Sequence, residues 1–253
     1  MSNDSEMRRP VLVLSSWGHP ELPEAIAALL RVGLVPDGIF LAGKISKESQ
    51  LITLDRIQGL GPLKDFWSLK IQRIPFYFVS SFNEIATIRF LRELNPELLI
   101  NYGAPEILRD ELLSIPSRGV IGVHPGRLPN YRGCSAVEWS IYNREPVAAS
   151  CFFLDQGVDT GPIVLIKDMV IESLDCYEKV RRNMIFHCVR TLAEGVKLVL
   201  ENNIFKSSLC AQLASEAKYY SVMNLEKINE IKKLLRDGTY VSLSTKRVEG
   251  NWL

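Results

Sequence analysis

His124 is the histidine best placed to take part in chemistry. It follows an apolar run at residues 120–123 and precedes a loop with two prolines and two glycines. If the run is a parallel strand, His124 lies at the edge of the sheet where open α/β folds bind ligands. A neutral imidazole there can act as a general acid or base. His19, in the turn after the first apolar run, is a candidate for lining the same site, whereas His187 lies inside a helical pattern and is expected to be structural.

A second loop carries two carboxylates. Asp155 and Asp159 lie between two β-rich runs, in a segment that also contains Gly157 and Gly161. A carboxylate beside an imidazole can orient it, raise its pKa and relay a proton. The alternative is a solvated acidic loop whose glycines serve turn geometry. The two residues alone favour neither interpretation.

Other catalytic signatures are missing from the sequence. It contains no HExxH motif and no CxxC pair, so we expect no metal site. Its glycines form neither a GxGxxG nor a GxxxxGKS/T phosphate cradle, and no serine sits in a GxSxG elbow. The sequence therefore does not support a dinucleotide-binding site, a P-loop or an α/β-hydrolase.

The elements that must position these residues follow an alternating α/β pattern. Buried parallel strands are predicted at residues 11–14, 37–42, 76–79, 98–101 and 120–123, with helices at 22–30, 85–94 and 107–113. Further strands are predicted at 148–154 and 163–171, and further helices at 136–142, 175–201 and 225–236. Residues 44–61 predict a long surface loop. Beyond residue 204 the helical stretch is charged and no clear core pattern is visible.

Composition bounds the class of protein. The 253 residues are 47% hydrophobic and 23% charged, so disordered and fibrous classes are excluded. A net charge of +1 gives no overall field for nucleic acid or a membrane surface. Five cysteines without a CxxC pair favour free thiols in a reducing cytosol. The short polar N-terminus and the brief apolar run after it do not suit a signal peptide or membrane span, and a cytoplasmic protein is expected.

Two segments together resemble a known family. The first runs from Gly119 through His124-Pro-Gly-Arg-Leu-Pro-Asn-Tyr-Arg-Gly133, and the second is Asp155-Gln-Gly-Val-Asp-Thr-Gly-Pro-Ile163. They are similar to the folate-dependent formyltransferases, which include glycinamide ribonucleotide, methionyl-tRNA and sugar-nucleotide enzymes. The family pattern is Asn-x-His-Pro-Ser-Leu-Leu-Pro-x-Tyr-Arg-Gly and, after a further strand, Asp-x-Gly-x-Asp-x-Gly-Pro-Ile.

The resemblance implies a Rossmann-like sheet and transfer of a formyl group from N10-formyltetrahydrofolate to an amine. His124 would stabilise the oxyanion or shuttle protons, and Asp159 would orient His124 and help to remove the amine proton. The residues expected to bind the folate are Ala104, Pro105, Glu106, Ile107, Leu108, Asp155, Gln156, Gly157 and Val158. The residues expected to bind the acceptor are Trp17, His19, Arg127, Tyr131 and Arg132. Residues 10–203 would form the catalytic domain and residues 204–253 a small C-terminal appendage.

One position departs from the family pattern. The family's catalytic Asn stands two residues before the His, where this chain has Gly122. Glycine has no amide to donate to the oxyanion, and losing one such donor typically costs about 2.7–4 kcal/mol in the transition state. Asn101, at the end of the neighbouring predicted strand, is a candidate substitute, with a backbone N–H or a bound water as alternatives. Altered or absent activity is the remaining interpretation.

The sequence narrows the acceptor without naming it. The first βα turn lacks the Gly-Ser-Asn phosphate turn of glycinamide ribonucleotide enzymes. The segment before the first strand is shorter than the regulatory domain of the folate hydrolases, which disfavours hydrolysis. The segment after the long helix is shorter than the C-terminal domain of the tRNA enzymes and the net charge is near zero, so no nucleic-acid partner is expected. No membrane partner is expected either. We expect a small amine, such as a nucleotide-linked amino sugar. The alternatives are another one-carbon or hydrolytic reaction, or a non-catalytic folate-binding protein, and a homodimer is one of the assembly states left open.

Aromatic residues admit two roles. Trp17, Tyr219 and Tyr220 can stack on a base or sugar ring, or they can anchor the tail on the core.

Overall fold

A seven-stranded, mostly parallel sheet forms the centre of the molecule. The computed structural model describes residues 8–44, 73–172 and 175–240. The strands of the sheet are β1 (Val11–Trp17), β2 (Gly38–Lys44), β3 (Phe76–Val79), β4 (Leu98–Asn101), β5 (Val120–His124), β7 (Ala148–Phe153) and β8 (Ile163–Asp168). Their order is β3-β2-β1-β4-β5-β7-β8, in which β1 to β5 run parallel and β7 and β8 pair antiparallel. The predicted α/β, Rossmann-like sheet is confirmed.

Two short strands lie outside this sheet. β6 (Arg132–Gly133) and β9 (Tyr219–Tyr220) pair parallel to each other. The helices of the described residues are α1 (Leu22–Arg31), α2 (Ile85–Leu94), α3 (Asp110–Leu113), α4 (Ala136–Tyr142), α5 (Tyr177–Glu201) and α6 (Leu225–Arg236). Two 3-10 turns, Lys206–Ser208 and Ala214–Glu216, separate α5 from β9.

Side chains that alternate along each strand build one core on each face of the sheet. In β4, Leu98 and Ile100 pack in the cluster that contains residues of α1 and α5. Leu99, on the opposite face, packs in the cluster that contains residues of α2 and α3. A third cluster joins α4, the first half of α5 and α6. Because every central strand is covered on both faces, its sequence is a continuous apolar run.

The strand order places a crevice at one edge of the sheet. The chain builds outward from β1 to β2 and β3, and then returns to place β4 on the other side of β1. At such a switch point the connections after the two strands diverge to opposite faces and leave room beyond their carboxyl ends. The turns after β1, β4 and β5 therefore surround one space.

The predicted helix at residues 107–113 is wrong in its first half. Only α3, Asp110–Leu113, is helical. The side chain of Asn83 donates to the carbonyl of Ile107 at 2.9 Å and accepts from the N–H of Arg109 at 2.9 Å. These bonds take the place of helical ones, and residues 107–109 are not helical.

Other element bounds differ by a few residues. β1 and β2 extend beyond the predicted ends at residues 14 and 42. β8 ends at Asp168 rather than residue 171 because its partner in β7, Ala148, is the first residue of that strand. Beyond residue 44, the surface loop predicted for residues 44–61 lies outside the described residues.

The tail beyond residue 204 has a core pattern that the sequence analysis missed. Ile231 and Leu235, four residues apart on α6, are buried together with Met223. They pack in the cluster formed by α4 and the first half of α5. The pattern was hidden because charged residues separate these few apolar positions. The boundary at residue 203 stays a prediction.

The described helices include none that is long and apolar enough to cross a membrane.

Arg118 is expected to contribute strongly to stability. Its Nε donates to Glu97 at 2.5 Å, and Nη1 donates to the carbonyls of Val199 and Ile204 at 3.4 and 3.3 Å. The substitution Arg118→Leu leaves these acceptors without their partner. We expect the free energy of unfolding, measured in urea, to fall by about 1.5–3 kcal/mol.

The control is the ion pair between Arg8 and Asp37, whose side chains are 66% and 42% exposed. Arg8→Leu is expected to change the same free energy by less than about 0.5 kcal/mol. Equal effects of the two substitutions would contradict the role given to Arg118.

Candidate active site

A cavity of about 410 Å³ opens at the carboxyl ends of β1, β4 and β5. Its size is typical of small-molecule sites. The predicted site residues that line it are His19, Asn101, Glu106, Ile107, Leu108, Gly122, Asp155, Gly157, Val158 and Asp159. The structure thus brings residues from both family-like segments and from the first βα turn into one site.

His124 and Asp159 meet at the edge of this cavity. His124 ends β5, and Asp159 lies in the loop between β7 and β8. Nδ1 of His124 lies 3.4 Å from Oδ2 of Asp159, and the two side chains are 7% and 16% exposed. Asp159 lines the cavity, and His124 lies behind it. This geometry favours a carboxylate–imidazole pair over a solvated acidic loop.

Both ring nitrogens of His124 face polar groups. Nε2 donates to the backbone carbonyl of Tyr131 at 2.6 Å, because a carbonyl oxygen can only accept. The lone pair of Nδ1 then faces Asp159. Burial lowers the pKa of His124 below its ordinary value, and the Asp159 carboxylate and the Tyr131 carbonyl, which both raise it, offset this in part. The imidazole is therefore neutral at pH 7, with Nδ1 able to accept a proton.

The loop after His124 is held by β7. The Ser150 hydroxyl accepts from the N–H of Leu128 at 3.0 Å and donates to the carbonyl of Gly126 at 2.7 Å. A Cβ on Gly126 would lie 2.8 Å from both His124 Nε2 and the Tyr131 carbonyl. Glycine at this position, where the family pattern has Ser, leaves room for the bond that fixes the imidazole.

Asp159 is fixed from two sides. Its Oδ2 accepts from the N–H of Gly133 at 2.9 Å. Its backbone has a φ of 56°, a left-handed conformation that Asp tolerates better than most residues. Gln212, from the tail, donates its Nε2 to the carbonyls of Asp159 and Gly161 at 3.0 and 2.7 Å. The tail therefore stabilises the conformation that presents the carboxylate to the cavity.

One wall of the cavity is apolar and exposed. The side chains of Ile107 and Val158 are 73% and 54% exposed although both are large and hydrophobic. The Glu106 carboxylate, by contrast, accepts from Ser81 at 2.8 Å, from the N–H of Phe82 at 2.7 Å and from Asn83 at 2.8 Å. Glu106 thus holds the neighbouring loop, and a ligand on this wall would meet apolar side chains and backbone groups.

The place of the side chain missing at Gly122 is taken by Leu154. A Cβ at residue 122 would lie 2.8 Å from Leu154 Cδ1 and 3.6 Å from the backbone oxygen of Asn101. Leu154 carries no hydrogen-bond donor. The position at which the family has its amide is therefore apolar in this chain.

Several predicted residues lie away from the cavity. Trp17 packs edge-on against Phe78, Arg127 pairs with Asp168, and Gln156 bonds to Asp110. Ala104 donates its N–H to Asn101 Oδ1, and Pro105 packs over Gly43. Tyr131 and Arg132 contact the tail. These residues are close in sequence to residues that line the cavity, but they contact other parts of the protein around it.

The tail aromatics anchor the tail on the core. Tyr220 stacks on Tyr131 with ring centroids 5.1 Å apart and packs against Trp139 at 5.2 Å. Arg132 donates to the Tyr219 hydroxyl at 3.0 Å and to Gln212 at 2.6 Å. Of the two roles open to Tyr219 and Tyr220, the structure displays the anchoring one.

The sequence analysis missed the wall opposite Ile107. It consists of Glu21, Tyr102, Arg181, Met184, Ile185 and Cys188. Tyr102 donates its hydroxyl to Glu21 at 2.9 Å, and burial together with Glu21 raises the pKa of Tyr102 well above its ordinary value. Only the proximity of Tyr102 to the end of predicted strand β4 could have indicated this wall. The residues from α5 lie far away in sequence and gave no signal.

The side chains that the structure describes were also compared with the requirements of a metal site. Among the described residues, no three or more His, Cys, Asp or Glu side chains are grouped so that they could bind a metal ion.

Comparisons with known proteins point to formyltransferases. The formyl transferase family model matches residues 70–194. The methionyl-tRNA formyltransferase of Clostridioides difficile is 29% identical over 168 residues, 66% of this chain and 52% of that protein. The chain spans about half the length of the first curated relatives that it matches. These matches show that the chain is similar to formyltransferases over residues 70–194 and in the segments shared with the curated relatives.

Solved structures share the fold. A sugar N-formyltransferase from a Shewanella species has a TM-score of 0.58 at 19% identity, covering 94% of this chain and 98% of that one. An N-formyltransferase from Helicobacter canadensis, solved with folinic acid and dTDP-3-aminofucose, has a TM-score of 0.57 at 17% identity, covering 85% of this chain and 71% of that one.

NMR titration is expected to find all three imidazole pKa values below 6.5, because burial lowers the pKa of His19, His124 and His187. Asp159→Asn removes a carboxylate that raises the pKa of His124, so His124 should then titrate at a still lower pH. His187, whose Nε2 donates to the carbonyl of Lys167 at 2.9 Å, serves as the control and should not move. A higher His124 pKa in Asp159→Asn would contradict the pairing.

The same shifts predict a pH dependence of stability. The unfolded imidazoles bind protons at a higher pH than the folded ones, so the unfolded state holds more protons below about pH 6.5. The free energy of unfolding should therefore fall as the pH drops from 7 through 6.5 toward the folded pKa values. The part due to His187 should disappear from urea titrations of His187→Gln, and an unchanged pH slope in that variant would contradict the shift.

Proposed function

We propose that this protein transfers the formyl group of N10-formyltetrahydrofolate to the amine of a small acceptor. The observation that carries the proposal is the buried His124–Asp159 pair on a cavity with an exposed apolar wall. The match of residues 70–194 to the formyl transferase family model supports it.

The reaction requires one proton acceptor, one proton donor and a partner for a developing negative charge. The amine nitrogen attacks the formyl carbon, and its new C–N bond replaces the bond from that carbon to N10 of the folate. The amine loses a proton and N10 gains one, so no oxidant or reductant is consumed. While the carbon is tetrahedral, its oxygen carries negative charge and is stabilised by hydrogen-bond donors.

Asp159 and His124 suit the proton transfers. Asp159 lines the cavity and can meet the acceptor amine, whereas His124 contacts Asp159 from behind. The neutral imidazole offers Nδ1 as a base next to the carboxylate. In this proposal Asp159 takes the amine proton, shares it with His124 and returns it to the leaving nitrogen. His124 contributes no oxyanion donor here, because its Nε2–H is bound to Tyr131.

The folate would lie on the wall formed by Ile107, Leu108, Asp155, Gly157 and Val158. The exposed Ile107 and Val158 side chains offer apolar surface to a flat ring. Backbone groups of the same segments can pair with the donors and acceptors of the pterin. The structure of the Helicobacter canadensis relative was solved with folinic acid, which supports a folate on this fold.

The acceptor is proposed to be a nucleotide-linked amino sugar. Two solved structures that share the fold are sugar or sugar-nucleotide N-formyltransferases by their titles or ligands. Three curated relatives, at up to 31% identity, are methionyl-tRNA formyltransferases by name. An acceptor screen must therefore also include methionyl-tRNA. The acceptor would occupy the part of the cavity next to Glu21, Tyr102 and Arg181.

A second candidate is loss or change of the reaction, including hydrolysis of the formyl group. It is favoured by Gly122, whose place is filled by the apolar Leu154. An assay of tetrahydrofolate release with and without acceptor amines separates the two. Release that depends on the amine supports transfer, and release without any amine supports hydrolysis.

His124→Ala and Asp159→Ala are each expected to reduce kcat by at least about 100-fold, since general acid–base groups contribute roughly 10²–10⁴-fold. Steady-state assays with N10-formyltetrahydrofolate and the fastest amine of a panel test this. His187→Ala, at a histidine on the same protein but outside the cavity, should retain the rate. Full activity of either first variant would contradict the assigned roles.

Calorimetric titration with a non-reactive formyl-folate analogue is expected to show one-to-one binding. Ile107→Ala should weaken it, because the change removes apolar surface worth about 1–2 kcal/mol when a ligand covers it. Ile85→Ala, at a residue equally exposed on α2, is the matched control and should bind as the wild type does. No binding at millimolar analogue would overturn the folate assignment.

A further inference from the structure

Neither residue 122 nor residue 124, where the family pattern places the Asn and the His, offers a donor for the oxyanion. Gly122 has no side chain, Leu154 fills its place, and the Nε2–H of His124 is bound to the Tyr131 carbonyl. A reaction that generates negative charge on oxygen is accelerated by a preorganised donor. Some other group on the cavity wall has to supply it if the proposed formyl transfer takes place.

The strand register places Asn101 beside Gly122. β4 and β5 are neighbouring parallel strands that pair Leu99 with Val120 and Ile100 with Ile121. One step further along the same register, Asn101 follows Ile100 and Gly122 follows Ile121. Parallel strands lie about 4.7–4.9 Å apart. The 3.6 Å between the Asn101 backbone oxygen and a Cβ position at residue 122 agrees with this placement.

The two positions also share a face of the sheet. Leu99 and Val120 belong to the cluster on the α2 and α3 side, and side chains alternate along a strand. Asn101 and Gly122, each two residues further on, therefore face the same side. Both line the cavity. An amide at residue 101 thus starts one strand away from the position at which the family pattern has its amide.

The Asn101 amide is held so that its donor is left for a ligand. Oδ1 accepts from the N–H of Ala104 at 3.2 Å. This bond fixes the rotation of the amide and assigns the oxygen to the protein. Among the described residues, Nδ2 has no hydrogen-bond partner, and because Asn101 lines the cavity its two N–H groups are available to a ligand.

We propose that Asn101 is the oxyanion donor of this protein, moved from β5 to β4. Leu154 fills the space that the family's side chain occupies, so Gly122 and Asn101 form a coupled exchange. Nδ2 of Asn101 donates to the formyl oxygen as it gains negative charge, while Asp159 takes the proton from the amine. The inference rests on the proposed formyl transfer and names a catalytic residue for it.

The test compares two substitutions at residue 101. Asn101→Asp keeps an oxygen that accepts from Ala104 and removes the donor, whereas Asn101→Ala removes both. With N10-formyltetrahydrofolate and the fastest amine of a panel, we expect both variants to lose about 100- to 1000-fold in kcat. The KM for the formyl donor and the affinity for a non-reactive analogue should stay within about threefold, because the donor acts in the transition state.

A gain of function provides a second test. Asn101→Ala combined with Gly122→Asn and Leu154→Ala returns an amide to β5 and removes the Leu154 methyl that lies 2.8 Å from its Cβ. The kcat of this triple variant should be at least about tenfold higher than that of the double variant Asn101→Ala with Leu154→Ala. A tenfold gain is a fraction of the effect that one oxyanion donor usually has on kcat.

Three results would overturn the inference. If Asn101→Asp retains the wild-type rate, the role of Asn101 is to hold the turn at Ala104. If both variants lose analogue binding in proportion to rate, Asn101 shapes the pocket and does not act on the reacting oxygen. If the wild type binds the analogue but releases tetrahydrofolate with no amine in the panel, the proposed function fails first, and the role of Asn101 fails with it.

Discussion

A buried imidazole has to place its N–H against an acceptor, and much of this site is built around that constraint. His124 is withdrawn from solvent at the end of a central strand. One nitrogen is bound by the Tyr131 carbonyl, which the loop after β5 brings back over the ring. The other faces Asp159, which comes from the next loop of the sheet. A neutral side chain with one committed proton and one basic lone pair is the result.

The two loops that meet at His124 are themselves fixed by other parts of the fold. Ser150 on β7 holds the first loop through Leu128 and Gly126. Gln212 in the tail holds the second through the carbonyls of Asp159 and Gly161. The tail also pairs β9 with β6 and stacks Tyr220 on Tyr131. The region predicted as an appendage therefore contributes contacts that position the carboxylate.

The same logic explains how a glycine can stand where a family amide is expected. Adjacent parallel strands present equivalent positions on one face of a sheet, so a side chain can move from one strand to the next and still reach the same space. Leu154 packs into the place that was vacated, which keeps the interior filled. What has to be conserved physically is a donor directed at a point in the cavity, and the strand that carries it can differ.

The sequence by itself determined the α/β sheet and most element positions. Continuous apolar runs mark strands covered on both faces, and His124 directly follows one of them, at the edge where such sheets bind ligands. The resemblance to the formyltransferases then implied that Asp159 lies beside His124. It also singled out Gly122 as a departure and Asn101 as its neighbour. The sheet and its elements follow from local periodicity, whereas the significance of Gly122 was implied by the family pattern.

Only the tertiary structure decided which side chains reach the cavity. Arg127, Tyr131 and Arg132 lie in the family-like loop, yet their side chains are used by Asp168, Tyr220 and Gln212. Arg181, Met184 and Cys188 line the cavity from a helix far along the chain. The direction of a side chain depends on packing partners that are distant in sequence, and the pattern of a single segment carries no information about them.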